Sequence, residues 1–240
     1  MEVINDLLNY NNLKIVQNTD WFNFSLDSVL LSDFIKVKDD MKIIDFCTGN
    51  CPIPLILSTK IKTEIYAVEL QKEVYDLGKK SIKINNLDNQ IKLLNKDVKD
   101  LANIFETDTF DLITCNPPYF KIEEFSKLND NSIKTIARHE KMINLENIFK
   151  LAKKLLKNNG KIAMVHRTDR LIDIIMEMKK NNIEPKRIRY IYPKENTKSN
   201  MVLIEGAKNG KPGLIVEKPI IVHNENGNYK EEILKIFNEV

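Results

Sequence analysis

From Met41 onward the chain alternates short apolar runs with segments whose apolar residues recur every three or four positions, and this alternation constrains the fold more than any other feature. Such runs read as strands, and the intervening segments as helices that cover them, so the pattern predicts an α/β protein on a largely parallel sheet. Strands are expected at 42–46, 64–68, 91–94, 110–114, 161–166, 187–192 and 201–205, and helices at 26–36, 53–58, 71–84, 145–157 and 171–179. The stretch between the last two strands is polar and has no helical period. A parallel pair needs a longer crossover, so these two strands are expected to pair antiparallel and complete a seven-stranded mixed sheet with helices on both faces. The 240 residues suit one domain. Residues 1–38 form an N-terminal cap segment, 39–212 the core, and 213–240 a tail that packs back on the sheet with a last helix at 229–237.

Composition narrows the function. With 42% hydrophobic and 30% charged residues the chain has the make-up of a soluble globular protein. No apolar run approaches the roughly 18 residues that cross a bilayer, so no membrane partner is expected. The first 13 residues carry Glu2 and Asp6 and lack the basic start and apolar centre of a signal peptide, which points to the cytoplasm. Three cysteines in such a chain are expected to be reduced thiols. There are seven glycines, and in the one cluster, Gly206, Gly210 and Gly213, Lys211 is followed by Pro212 rather than Ser or Thr. A nucleotide-triphosphate P-loop and a Gly-x-Gly-x-x-Gly dinucleotide loop are both excluded.

Chemistry-bearing residues gather at the carboxyl ends of the expected strands. The first strand runs through Asp45 into Phe46-Cys47-Thr48-Gly49-Asn50-Cys51-Pro52 and then a helix, whose first turn suits a proline. Open α/β sheets bind ligands outside such strand ends, and the helix N-terminus favours an anionic group such as a carboxylate. The second strand leads to Glu69, about 20 residues on and placed to accept hydrogen bonds from both hydroxyls of a ribose. The third leads to Asp97. Three acids at three successive strand ends favour an adenosine-type ligand over three unrelated loop residues or caps.

The fourth strand is followed by Asn116-Pro117-Pro118-Tyr119. The two prolines stiffen the turn and remove two backbone donors, leaving carbonyls free to accept. Methylation of a planar amine needs this arrangement, because the nitrogen lone pair is delocalised into the attached π system. If the Asn116 side-chain carbonyl and the Pro117 backbone carbonyl accept its N–H groups, the nitrogen is held pyramidal and its lone pair aims at a methyl donor. Tyr119 can stack on the flat acceptor, and the acceleration comes from alignment and fixed dipoles.

In this order, Asp45 to Pro52, Glu69, Asp97 and Asn116 to Tyr119 resemble the class I S-adenosylmethionine-dependent methyltransferases that methylate amines. Four further segments narrow the resemblance to the tRNA1(Val) adenine N6-methyltransferase family: Phe24 to Leu31, Arg138-His139-Glu140, Glu184 to Arg187, and Ser199 to Gly206. The resemblance implies a Rossmann-like methyltransferase fold, S-adenosylmethionine as cofactor, and a tRNA adenosine beside the anticodon as substrate. It implies a cofactor site of Phe24, Asp27, Asp45, Cys47, Thr48, Gly49, Asn50, Glu69, Leu70, Asp97, Val98 and Asn116. Within it Glu69 takes the ribose, Asp97 lies near the adenine amino group, and Phe24 and Asp27 close over the cofactor. Asn116, Pro117, Pro118 and Tyr119 would hold the target base.

Between Lys179 and Lys198 seven basic residues face two acidic ones, with Tyr190 and Tyr192 interleaved, as on many nucleic-acid faces. With the tRNA substrate implied, Arg138, Lys186, Arg187, Arg189, Lys194, Lys198, Lys208 and Lys211 are expected to contact RNA. Cys47 and Cys51 depart from the family, which commonly has glycine there. Small, readily buried cysteines are expected to be tolerated, to lie on the cofactor loop and to react with alkylating reagents. Their spacing is not that of a zinc site, and no metal is expected. A carboxamide fits the same proline turn, so protein glutamine methylation is the alternative reaction, and RNA binding without catalysis is the non-enzymatic one.

Overall fold

The computed structural model of the chain describes residues 1–8, 10, 12–20, 26–118 and 144–238. The chain begins with a hairpin, β1 (Glu2–Asp6) and β2 (Lys14–Asn18), paired antiparallel from Glu2 opposite Asn18 to Asp6 opposite Lys14. Helix α1 (Leu26–Phe34) leads into β3 (Ile43–Phe46), all of whose side chains are buried. Then follow α2 (Pro52–Ser58), β4 (Ile65–Glu69), α3 (Lys72–Ile84), β5 (Ile91–Asn95), a 3-10 turn (Val98–Asn103) and β6 (Phe110–Cys115). The later part holds α4 (Leu145–Leu155), β7 (Leu156–Arg167), α5 (Leu171–Lys180), β8 (Ile183–Lys194) and β9 (Met201–Lys208). Two short strands, β10 (Ile215–Val216) and β11 (Ile220–His223), and helix α6 (Glu231–Ile236) complete the described chain.

The main sheet has the order β5-β4-β3-β6-β7-β9-β8, with β10 and β11 both along the outer edge of β8. Strands β5, β4, β3, β6 and β7 are parallel, and β9 is antiparallel to both neighbours. The order reverses between β3 and β6, because the chain builds outward through β4 and β5 before returning to the other side of β3. That reversal opens a crevice at the carboxyl ends of β3 and β6.

All seven expected strands are present, and the antiparallel β8–β9 pair is as read. The main sheet nevertheless has nine strands rather than seven. β10 pairs with Arg187 and Ile188 and β11 with Ile191, Tyr192 and Lys194, both parallel to β8. A two-residue strand carries no readable period. Helix α4 stops at Leu155, earlier than 157, because Leu156 already pairs with Phe110. The strand register then slips before Lys161 meets Leu112, with Asn159 at φ 63° inside the irregularity.

Each face of the sheet carries its own core. On one side Leu30 and Leu31 of α1, Leu55 and Ile56 of α2, Ile82 of α3 and Ile15 of the hairpin pack on Ile43 and Ile65. On the other, Phe149 and Ala152 of α4 and Ile174 and Met178 of α5 pack on Ile44, Ile113 and Val202. The hairpin is fixed to α3 by Ser81, whose hydroxyl accepts from the Val16 N–H at 2.9 Å. It is joined to α6 by the Tyr10 hydroxyl, which donates to the Ile236 carbonyl.

Candidate active site

Register brings the sequence-distant pieces together. Phe46 lies opposite Val68 of β4 and Cys115 of β6, so the loop after β3 rises between Glu69 on one side and Asn116 on the other. The Thr48 N–H extends the ladder to the Val68 carbonyl at 3.0 Å. The loop then turns tightly, with Cys47, Gly49 and Cys51 at φ 56°, 61° and 73°. These left-handed conformations favour glycine and strain a β-carbon, which is the physical reason glycine suits the two positions where this chain has cysteine. Small size alone does not remove that strain.

Glu69 fixes the loop from the neighbouring strand. Its Oε2 accepts from the Gly49 N–H and its Oε1 from the Gln71 N–H, each at 2.9 Å. Burial raises the Glu69 pKa, against the hydrogen bonds from Gln71, Gly49 and Leu70 N–H groups that favour the carboxylate. Asn95, the last residue of β5, donates to the carbonyls of Glu69 at 2.9 Å and Leu70 at 3.0 Å, so the backbone on which Glu69 stands is clamped as well. Asp97 caps the 3-10 turn, its Oδ1 accepting from the Lys99 N–H at 2.9 Å, and Val98 is buried beneath it.

Asp45 is fully buried, and its Oδ1 accepts from the Thr114 hydroxyl of β6 at 2.6 Å. Burial pushes its carboxyl up to about 7 despite that hydrogen bond. The Thr48 hydroxyl beside it also favours the carboxylate, and both Asp45 Oδ2 and Thr48 Oγ1 are buried from solvent. The Asn50 side chain turns away from the crevice, donating to the Val16 carbonyl of β2 at 2.9 Å, and so ties the loop to the hairpin.

Asn116 follows β6 directly, beside the buried Pro117. Its Nδ2 donates to the hydroxyl of Ser28 in α1 at 2.9 Å. Asp27 lies in the first turn of the same helix. The Cys47 and Cys115 thiols face each other across the β3–β6 seam; burial first, and then the hydrogen bond to Cys47, push the Cys115 thiol well up. Burial likewise pushes the Cys51 thiol far up, so the expected reactivity narrows to Cys47, the one cysteine with appreciable exposure. Among the described residues no three His, Cys, Asp or Glu side chains converge as metal ligands do, and no helix is long and apolar enough to cross a membrane. Phe24, Tyr119 and Arg138 lie outside the described residues.

The basic residues do not form one face. Arg187, with a side chain 12% exposed, pairs with Glu205 at 3.0 Å and Glu217 at 2.9 Å. It also donates to the Phe34 carbonyl at 2.8 Å and stacks on the Phe34 ring. Arg189 is tied to Glu232 and to the Lys218 carbonyl. Lys208 pairs with Asp108 and donates to the Leu156 carbonyl. Because β9 runs antiparallel, Lys208 and the following Lys211 lie at the end of the sheet opposite the crevice, and Lys186 joins them through the Lys211 carbonyl. Lys194 and Lys198, exposed around the β8–β9 turn, are at the crevice end. Sequence reading missed Asn95, Thr114 and Ser28 as site residues; a polar residue interrupting an apolar strand was the available signal for Thr114.

Residues 23–187 match the family model of the methyltransferase small domain. Two curated relatives are described as tRNA1(Val) (adenine(37)-N6)-methyltransferases. The chain is 29% identical to the one from Trichodesmium erythraeum over 143 residues, 58% of each chain. It is 26% identical to the one from Haemophilus influenzae over 224 residues, 92% of each. Among solved structures, a predicted O-methyltransferase from Agrobacterium tumefaciens superposes with a TM-score of 0.71 at 16% identity, covering 89% of this chain and 96% of that one.

Proposed function

The chain belongs to the methyltransferase small domain family, and from that premise we propose that it transfers a methyl group from S-adenosylmethionine to N6 of an adenosine in tRNA, beside the anticodon of a valine tRNA. The observation that carries this reading is the register of β3 against β6, which sets the Cys47–Cys51 loop next to Asn116 and Pro117. A methyl donor held by the loop would then lie beside an acceptor held by the proline turn.

The residues present suit the cofactor. S-adenosylmethionine, when bound, supplies an electrophilic methyl group on a sulfonium that makes the ligand cationic. Glu69 and Asp97 set carboxylates at neighbouring strand ends beside the loop, and Asp45 lies buried at the end of β3. Glu69 is already fixed by two N–H groups, and a carboxylate retains lone pairs for ribose hydroxyls. Leu70 and Val98 would flank the adenine, and Asp97 would take its amino group. Asn116 and Pro117 would accept the two N–H groups of the target amine through their carbonyls, aiming its lone pair. No general base is required, because the proton leaves after transfer. An adenosine in an anticodon loop is already single-stranded, which lowers the cost of extracting it.

The test is transfer of a labelled methyl group from S-adenosylmethionine to unmodified tRNA, with digestion and identification of the product nucleoside. N6-methyladenosine is expected. Label found instead on glutamine of a protein acceptor, or cofactor binding without any transfer, would reject the proposal.

A further inference from the structure

We propose that Cys47 and Cys115 are a reversible oxidation site: a hydroperoxide oxidises Cys47 on the loop after β3, and Cys115 captures the product as an intramolecular disulfide before it is oxidised further. The pair keeps that loop repairable by thiols, and its chemistry does not depend on which acceptor is methylated.

Register and side-chain direction single out this pair among the three cysteines. Phe46 lies opposite Cys115 on the parallel β3–β6 ladder, and Cys47 is the next residue. Neighbouring strands about 4.8 Å apart, with a rise of about 3.3 Å per residue, set α-carbons one residue out of register about 6 Å apart. A disulfide bridges α-carbons about 4.4–6.8 Å apart. Cys115 belongs to the core on the α4 side of the sheet and Cys47 packs against that same core, whereas Cys51 lies in the core on the opposite side. Cys51, nearer in sequence, is therefore not the partner. The Cys47 and Cys115 thiols are already in hydrogen-bond contact, with Cys47 half-buried and Cys115 fully buried. Cys47 also holds a left-handed backbone, φ 56°, that glycine would adopt without strain, and strain kept for the sake of a side chain points to a use for that side chain.

The exposed thiol reacts first, as its thiolate. Its sulfur attacks one peroxide oxygen: the S–O bond forms, the O–O bond breaks, and the departing oxygen leaves with the thiol proton as water or an alcohol. Cys115 then attacks the sulfur of the Cys47 sulfenic acid. The S–S bond forms, the S–O bond breaks, and hydroxide leaves with the Cys115 proton as water. The two sulfurs together give up two electrons, and the hydroperoxide takes them. Burial keeps Cys115 protonated, which spares it direct oxidation and holds it within contact of the sulfenic acid. A small thiol such as glutathione reverses the bond by exchange at the more exposed Cys47 sulfur. Without Cys115, further peroxide would carry Cys47 to the sulfinic acid, which thiols do not reduce.

The experiment treats the full-length reduced chain with excess hydrogen peroxide and reads the cysteines by peptide mass spectrometry. In wild type a Cys47–Cys115 cross-link within one chain is expected, with Cys51 still a free thiol. Dithiothreitol should remove the cross-link and restore nearly all the iodoacetamide labelling of Cys47. In Cys115→Ala the same treatment should leave most Cys47 as sulfinic acid, with its labelling lost for good after dithiothreitol. Sulfinic acid on Cys47 of wild type beside a free Cys115 would overturn the proposal, as would a bond to Cys51 or between two chains. Equal recovery of Cys47 labelling in wild type and Cys115→Ala would overturn it too. The wild-type cross-link is read without any variant, so poor folding of Cys115→Ala leaves the test standing. Failure to methylate tRNA would reject the functional reading above and leave these readouts unaffected.

Discussion

Arg187→Ala should unfold the protein more easily rather than weaken its grip on RNA. The substitution removes two charged hydrogen bonds to Glu205 at 3.0 Å, one to Glu217 at 2.9 Å and one to the Phe34 carbonyl at 2.8 Å. It leaves the Glu205 carboxylate, 1% exposed, with Lys161 as its remaining partner. Breaking a buried ion pair from one side costs about 3–5 kcal/mol. The Lys161 contact places Arg187→Ala near the lower end, about 3 kcal/mol. Urea unfolding followed by circular dichroism should show the midpoint falling by about 1 M, for an m-value of roughly 3 kcal/mol per molar. Acid gives a second handle. Burial acts to raise the Glu205 pKa, but the hydrogen bonds from Arg187 and Lys161 prevail and hold it below the ordinary range. A depressed carboxylate contributes stability above its unfolded pKa of about 4.3 and loses it as pH falls through the folded value. The gap between wild type and Arg187→Ala should therefore narrow below about pH 4. The reasoning is refuted if Arg187→Ala costs less than about 1 kcal/mol while reducing the salt dependence of tRNA binding by about one unit of slope, the mark of a lost phosphate contact.

Asn116→Ala should abolish most methyl transfer while leaving S-adenosylmethionine affinity within about twofold, and a tenfold weaker cofactor affinity by calorimetry would reassign the residue. Glu69→Gln should weaken cofactor binding by about tenfold or more, and unchanged affinity would remove Glu69 from the ribose. Iodoacetamide should label Cys47 well before Cys51 and Cys115, more slowly with cofactor present; mass spectrometry showing equal labelling of Cys51 would contradict its burial. Asp45, raised to about 7, and His166, lowered to about 4 chiefly by burial, make opposite pH contributions. The first is lost as pH rises towards 7, whereas the second is gained between about 4 and 6.5. Asp45→Asn should expose the His166 term as stability that rises with pH across that window, and a flat profile in the variant would count against it.

How much of this was readable depends on how far apart the interacting residues are in sequence. Asp45 and Glu69 announce themselves because each ends an apolar run, and strand ends are where such folds bind. Asn116 to Pro118 are legible because prolines fix the local backbone without help. Arg187 and Arg189 misled because charge was counted along the chain, whereas a strand sends alternate residues to opposite faces. Their acidic partners Glu205, Glu217 and Glu232 lie 18, 30 and 43 residues away. The clamping role of Asn95 and the contact of Ser28 with Asn116 arise from strand order and helix docking, which no local window contains. The left-handed turns at Cys47 and Cys51 are hidden for a different reason, since glycine is the residue that normally reveals them.

The insertion of β9 between β7 and β8 sets a timetable for synthesis. β8 leaves the ribosome before β9 but cannot join the sheet until residues 201–208 are available to bridge it to β7. Until then the nascent chain carries two twelve-residue strands, β7 with one unpaired edge and β8 with both edges bare. Exposed edges of that length invite pairing with other chains, so a stall or truncation before Met201 should yield aggregates, whereas one just after Lys208 should release a nearly complete sheet.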